Sequence, residues 1–191
     1  MTRSRDIANL GDGITTADIG DGQVTAGKLN STLDLTGKTV TLPSGVGGKV
    51  LNVVHSTYST DTPINTTNYT DSGLLGVITP TSTSSKILVM IQLAVRLSGT
   101  FDHGASFEIV RDNGGTLTNI WASAGTLDSY IYAGSASVDS RRRETWVVLD
   151  TPTTTNELDY RINARSMRTD NSNDCRLHQN TTSTITLMEI A

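Results

Sequence analysis

Cysteine is almost missing from this chain: Cys175 stands alone, so no internal disulfide can form and no second thiol exists for a metal knuckle. The fold must therefore be held by packing or by assembly. Aromatic residues are scarce at 5%, and charge is thin at 18%, against about a quarter in an average soluble domain. The 15 basic and 19 acidic side chains leave a net charge of -4, which excludes the clustered basic footprint that neutralises nucleic-acid phosphates. No apolar run approaches the roughly twenty residues of a membrane span, and "MTRSRDIANLGDG" lacks the apolar core of a signal peptide. The expectation is synthesis in a cytoplasm, without membrane insertion.

Thr, Ser and Asn supply most of the hydrophilicity instead. Threonine is β-branched and fits a pleated, half-buried surface, whereas the residues that favour helix surfaces are sparse. With 36% hydrophobic residues the chain supports one domain with a real core plus an appendage. The composition predicts an all-β protein.

Glycine and proline in "LPSGVGGK", residues 42–49, divide the chain. Upstream lie only short apolar hooks and one hairpin-like piece, "LDLTGKTVTL", too small to be stable alone. Downstream, period-two alternation predicts strands at "KVLNVVHSTY", "GLLGVIT", "KILVMIQLAVRL", "SYIYAGSAS", "ETWVVLDT", "ELDYRINARSM", "CRLHQ" and "STITLMEIA". "ASFEIVRDNGGTLTNIWASA" reads as two strands joined by a tight turn at residues 112–115, where the Asn-Gly pair, Asn113-Gly114, supplies the positive φ values that the turn requires. This number of short strands between Lys49 and Ala191 matches an antiparallel jelly-roll β-sandwich. In "KILVMIQLAVRL" Ile87, Val89, Ile91, Leu93, Val95 and Leu97 share one face, yet Leu88 and Met90 make the other face apolar too. Cover on both faces would need a third layer that the chain does not provide, so a homotrimer is expected.

Chemistry-bearing patterns are few. His55, His103 and His178 have no second metal ligand at helical or strand spacing, and no Gly-x-Ser-x-Gly elbow is present. "DNSND", residues 170–174, lacks the glycine and the glutamate that complete a calcium loop, and reads as an exposed turn. "RRR", residues 141–143, reads as a solvated turn before "TWVVLD", with a carboxylate across a subunit interface as the alternative. No catalytic residue, metal site or cofactor is indicated, and the chain is expected not to be an enzyme.

Four phrases in order, "ADIGDGQVTAGKLNSTLDLTGKTVTLPSG", "GKVLNVV", "ITPTSTSSKILVMI" and "STITLMEIA", resemble tail-fibre and related virion proteins of tailed bacteriophages, notably marine ones. The resemblance spans nearly the whole chain. It implies an extended segment, residues 1–48, that docks onto another virion protein, followed by a homotrimeric knob, residues 49–191, used in host recognition. It places the protein in the virion, on the tail or on the capsid surface, after synthesis in the host bacterial cytoplasm. In such fibres three chains run in parallel, so the repeated phrase "GDGITTADIGDGQVTAGKL" would stack Ile14, Ile19, Val24 and Leu29 in layers around the axis. Arg3 and Arg5 beside Ile7 would anchor the extreme N-terminus in a socket on the partner. Two roles stay open: an adhesin whose loops meet a host glycan or protein through Phe101, His103, Tyr130 and Tyr132, or a non-adhesive decoration or head fibre.

Overall fold

The computed structural model describes residues 49–123, 127–134, 136–169 and 173–191. Residues 1–48, with the expected attachment residues Arg3, Arg5, Ile7, Ile14, Ile19, Val24 and Leu29, lie outside the described residues. The described residues form eleven strands. In chain order these are β1 (Val50–Tyr58), β2 (Thr62–Pro63), β3 (Thr70–Ile78), β4 (Lys86–Gly99), β5 (His103–Asn113), β6 (Thr116–Ala122), β7 (Ser129–Ile131), β8 (Val138–Asp150), β9 (Leu158–Ser166), β10 (Asn173–Leu177) and β11 (Ser183–Ile190). Among the described residues no helix is long and apolar enough to cross a membrane.

Two antiparallel sheets carry the fold. Sheet A runs β1-β11-β4-β8, with β10 continuing beside β4 beyond β11 and pairing in turn with β2. Sheet B runs β3-β9-β5-β6, with β7 beside the start of β5. The chain visits A, B, A and B through β1, β3, β4 and β5, and then B, A, B and A through β6, β8, β9 and β11. These interleaved Greek keys define a jelly roll.

Antiparallel pairing gives the sandwich two distinct ends. At one, the near end, the Ala191 amide donates to the Lys49 carbonyl at 3.1 Å, and Lys86 lies opposite Ile190. The loops 79–85, 114–115 and 151–157 close that end. At the far end lie the short β4–β5 connection, residues 100–102, residues 132–134 after β7 and residues 167–169 after β9. Lys49, the start of the described chain, is thus as far along the strands as the fold allows from the loop carrying Phe101.

The long β4 face behaves as the alternation requires: Ile87, Val89, Ile91, Leu93, Val95 and Leu97 are all buried, against Phe107, Ile109, Tyr160 and Ile162 from sheet B. Each such side chain contributes about 1.5–3 kcal/mol when fully buried. Trp146 of β8 closes the open side of this core, with its ring 5.1 Å from Phe107 and 5.7 Å from Trp121. The turn at residues 112–115 forms at the expected place, but its left-handed pair is one residue later than the expected Asn113-Gly114. Its left-handed residues are Gly114 and Gly115, at φ 59° and 94°, and the Gly115 amide donates to Asp112 Oδ1 at 2.7 Å. The terminal strand β11 lies inside its sheet, between β1 and β4.

Two expectations need correction. The arginines 141–143 are not in a turn: β8 begins at Val138 and carries them in register with Arg96, Val95 and Ala94 of β4. The expected strand at "SYIYAGSAS" shrinks to the three residues of β7. Leu88 and Met90 remain half-buried on an outer face of β4 that nothing in the described chain closes.

Candidate functional site

The far end gathers the exposed aromatic side chains. Phe101, 52% exposed, sits in the short β4–β5 connection. On β7 the period-two rule turns Ser129 and Ile131 inward, so Tyr130 points out, and Tyr132 beyond the strand is 76% exposed. Gly104 allows this arrangement, because a Cβ there would meet the Ser129 carbonyl at 2.8 Å and the Tyr130 ring at 3.2 Å. Asp102 ties the two segments together. It accepts from the Ala133 amide at 3.2 Å, and a hydrogen bond from the Tyr130 phenol to its carboxylate raises the phenol's pKa above the ordinary value. Arg168 lies 5.6 Å from the Phe101 ring, in cation–π range.

His103 does not belong to this surface. It is fully buried, within 3.4 Å of Ser166 Oγ through Nε2, because it shares the inward face of β5 with Ala105 and Phe107. Alternation counted back from Phe107 would have revealed this. Asp102 and Arg168 were missed, since only the fold brings residues 100–102 and Arg168 together.

The outer face of sheet A carries a second feature, one that register alone creates. Leu149, Leu88, Met188 and Val53 lie directly opposite one another across β8, β4, β11 and β1. Beside them run Val147, Met90, Thr186 and His55, while Ile190 faces Val50 toward the near end. Val147 is 64% exposed, Leu149 and Val53 each 53%. The outer face of sheet B carries a charged network instead, with Leu75 and Leu117 exposed beside it: Arg161 meets Asp71, Asp112 and Asp159, and Glu108 accepts from Asn119 and Asn163.

Farther along the same face of sheet A the chemistry changes to ion pairs. Arg96 donates to Asp139 through Nε at 2.9 Å and Nη2 at 3.1 Å, and to Asp174 at 3.0 Å. These bonds, above all the one to Asp139, hold the guanidinium pKa up and the Asp139 carboxyl pKa down. Arg176 pairs with Asp174 at 2.7 Å and Asp61 at 2.8 Å. Among the described residues no group of three or more His, Cys, Asp or Glu side chains is placed to hold a metal ion. Cys175 is buried, its thiol pushed up to about 12 chiefly by desolvation, which suits packing and not reaction.

No family model matches the chain, and no curated protein matches it in sequence. Among solved structures the chain is similar to that of infectious bursal disease virus, Gx strain, at 8% identity and TM-score 0.33, over 80% of this chain and 43% of that one. It is also similar to the VP2 subviral particle of the same virus, at 11% identity and TM-score 0.31, over 85% and 47%. A third similarity is to dimeric latent PorU from Porphyromonas gingivalis, at 11% identity and TM-score 0.30, over 76% and 14%. The chain spans less than half the length of each of these proteins. The jelly-roll assignment stands on the strand pairing itself.

Proposed function

We propose that the protein is a structural component of a tailed-bacteriophage virion, a tail-fibre or fibre-tip adhesin. Residues 49–191 form a homotrimeric knob that binds the host surface, and residues 1–48 attach it to another virion protein. The observation that carries this reading is the opposition of the two ends. The apolar rows of sheet A lie in the half of the sandwich where Lys49 leads into β1, and exposed Phe101, Tyr130 and Tyr132 lie at the other. A particle protein anchored by its N-terminus needs this order, with assembly contacts close to the anchor and ligand contacts at the tip. Packing the apolar rows against sister chains removes a surface that monomeric proteins rarely leave open. The aromatic far end favours an adhesin over a decoration protein, which needs the anchor and the assembly face but no outward-facing rings.

Adsorption tests this reading. Full-length protein should bind host cells and compete with phage adsorption, and the pair Phe101→Ser and Tyr132→Ser should lose most of that binding while melting unchanged. Wild-type protein that neither binds cells nor slows adsorption would assign it to decoration of the particle instead.

A further inference from the structure

The far half of sheet A's outer face contains an open cleft of about 400 Å³, within the size range of small-ligand sites. Its floor is Ala94, whose methyl leaves room where neighbouring positions carry long side chains. One wall is the pair Arg141 and Arg143, two residues apart on one face of β8 and so about 7 Å from each other along the strand. The other wall is the turn 179–181, with exposed Asn180 held in the left-handed region at φ 55°.

The charge in this cleft is unbalanced. The three nearby carboxylates, Asp61, Asp139 and Asp174, make their close ion pairs with Arg96 and Arg176. Arg141 comes no nearer than 3.8 Å to Asp139 and is 53% exposed. Arg143 spends its donors on neutral acceptors: Gln92 Oε1 at 3.2 Å, the Thr182 carbonyl at 2.9 Å and Thr181 Oγ1 at 2.7 Å. Arg143 thus meets neutral acceptors and Arg141 has only its loose pair with Asp139, so two incompletely neutralised guanidiniums face the cleft, on a chain whose net charge is -4. Guanidinium groups bind carboxylate and phosphate oxygens through paired, charge-assisted bonds. The amide of Asn180 and the hydroxyl of Thr181 offer neutral partners for sugar hydroxyls.

From this geometry we infer that the cleft is a binding site for an acidic sugar, an oligosaccharide bearing carboxylate or phosphate groups, with Arg141 as its principal charge contact. The inference rests on the adhesive reading for the source of such a sugar, the host envelope. A sister chain is the poorer occupant. The polar row Thr145, Gln92 and Thr184 separates the cleft from the apolar rows, and equivalent faces meeting here would bring like charges together.

The test uses full-length protein and three probes by calorimetry: an oligogalacturonate for carboxylate, a phosphorylated mannan oligosaccharide for phosphate, and a neutral malto-oligosaccharide. At least one acidic probe should bind and weaken with added salt, and the neutral one should not bind. Arg141→Gln should weaken binding about tenfold, the loss expected for one charge-assisted hydrogen bond, Arg141→Glu more, and Arg141→Lys less. Arg141 is half exposed, so melting should not change. Binding by neither acidic probe, equal binding of the neutral one, or indifference to Arg141→Glu would overturn the assignment. Conversion of the Arg141→Glu variant to monomers would overturn it too, by showing that Arg141 pairs across subunits. Host-cell adsorption separates the two readings: wild-type adsorption that survives Arg141→Glu removes the cleft but keeps the adhesin, whereas wild-type protein that never adsorbs removes the adhesin and leaves the sugar panel to decide the cleft.

Discussion

Replacing Asp150 with alanine should be among the most damaging single changes in the sandwich. Asp150 ends β8 in sheet A, and its carboxylate accepts from groups that belong to sheet B. Arg111 Nη1 donates to Oδ1 at 2.8 Å and Oδ2 at 2.6 Å, and the Tyr160 hydroxyl donates to Oδ2 at 2.7 Å. Arg111 and Tyr160 lie opposite each other on β5 and β9, so one carboxylate clamps two strands of the facing sheet. The Asp150 side chain is 9% exposed, that of Arg111 14%, and Tyr160 is fully buried. Asp150→Ala leaves a guanidinium and a phenol largely buried without their acceptor. Breaking a buried pair in this way costs about 3–5 kcal/mol, a large share of the roughly 5–15 kcal/mol that holds a domain.

The milder variants rank below it. Tyr160→Phe removes one bond to a charged acceptor and should cost about 1.5–3 kcal/mol, because Asp150 keeps Arg111 and the Thr151 amide. Arg111→Met combined with Asp150→Ala should recover part of the loss, since apolar groups tolerate this site better than a lone charge does. The assay is urea unfolding of full-length protein at one fixed concentration, as association adds to apparent stability. A midpoint for Asp150→Ala within about 1 kcal/mol of wild type, or a double variant worse than the sum of the singles, would refute the clamp.

Gly114→Val should cost more than about 1 kcal/mol by placing a β-branched residue at φ 59°, and an unchanged melting temperature would contradict the turn. Val147→Asp with Leu149→Asp should convert the assembly to 20.4 kDa monomers by light scattering while each chain stays folded; an unchanged mass would place the subunit contact elsewhere. His178 is buried, and desolvation lowers its pKa despite the opposing pull of its Ser72 carbonyl bond and of Asp61. A lowered folded-state value means that the unfolded chain binds the extra proton first, so stability should be full above about pH 6.5 and fall as the pH drops below it. His178→Asn should flatten that slope, and an equal slope in the variant would assign it to another group.

Where a strand has one dry face and one wet face, the sequence alone was enough. The core face of β4, the alternation of β9, the turn at residues 112–115 and the interior position of β11 were all legible for that reason. In the far half of β8 the criterion fails, because residues 139–143 carry no apolar side chain to alternate, so the arginine run resembled a turn. His103 was misplaced by reading a polar residue as an outward one, although its inward neighbours Ala105 and Phe107 fix its side. The apolar rows could not be seen at all as rows: Val53, Leu88, Leu149 and Met188 become neighbours only when four strands fall into register.

The two chemistries of sheet A meet at a structural seam. β4 is 14 residues long and changes partner midway, from β11 along Lys86–Gln92 to β10 along Val95–Gly99. The chain joining β10 to β11 must therefore emerge over Ala94, and it does so as the turn that walls the basic cleft. A chain of buried hydrogen bonds fastens that turn. The Ala94 amide donates to Ser183 Oγ at 2.9 Å, and the His178 amide donates to the Ala94 carbonyl at 3.0 Å. His178 Nε2 lies 3.0 Å from the Ser72 carbonyl, which can only accept, so this nitrogen carries the proton. Nδ1, 2.7 Å from Ser183 Oγ, is then the acceptor for the serine hydroxyl. A second proton on the ring would take away the acceptor at Nδ1, so that Ser183 Oγ could only accept there and its hydroxyl proton would lose its buried partner. The seam that gives the cleft its wall is thus also the place where acid should first loosen it, so acid destabilisation and loss of sugar binding should share one midpoint. Separate midpoints would show that His178 does not hold the turn.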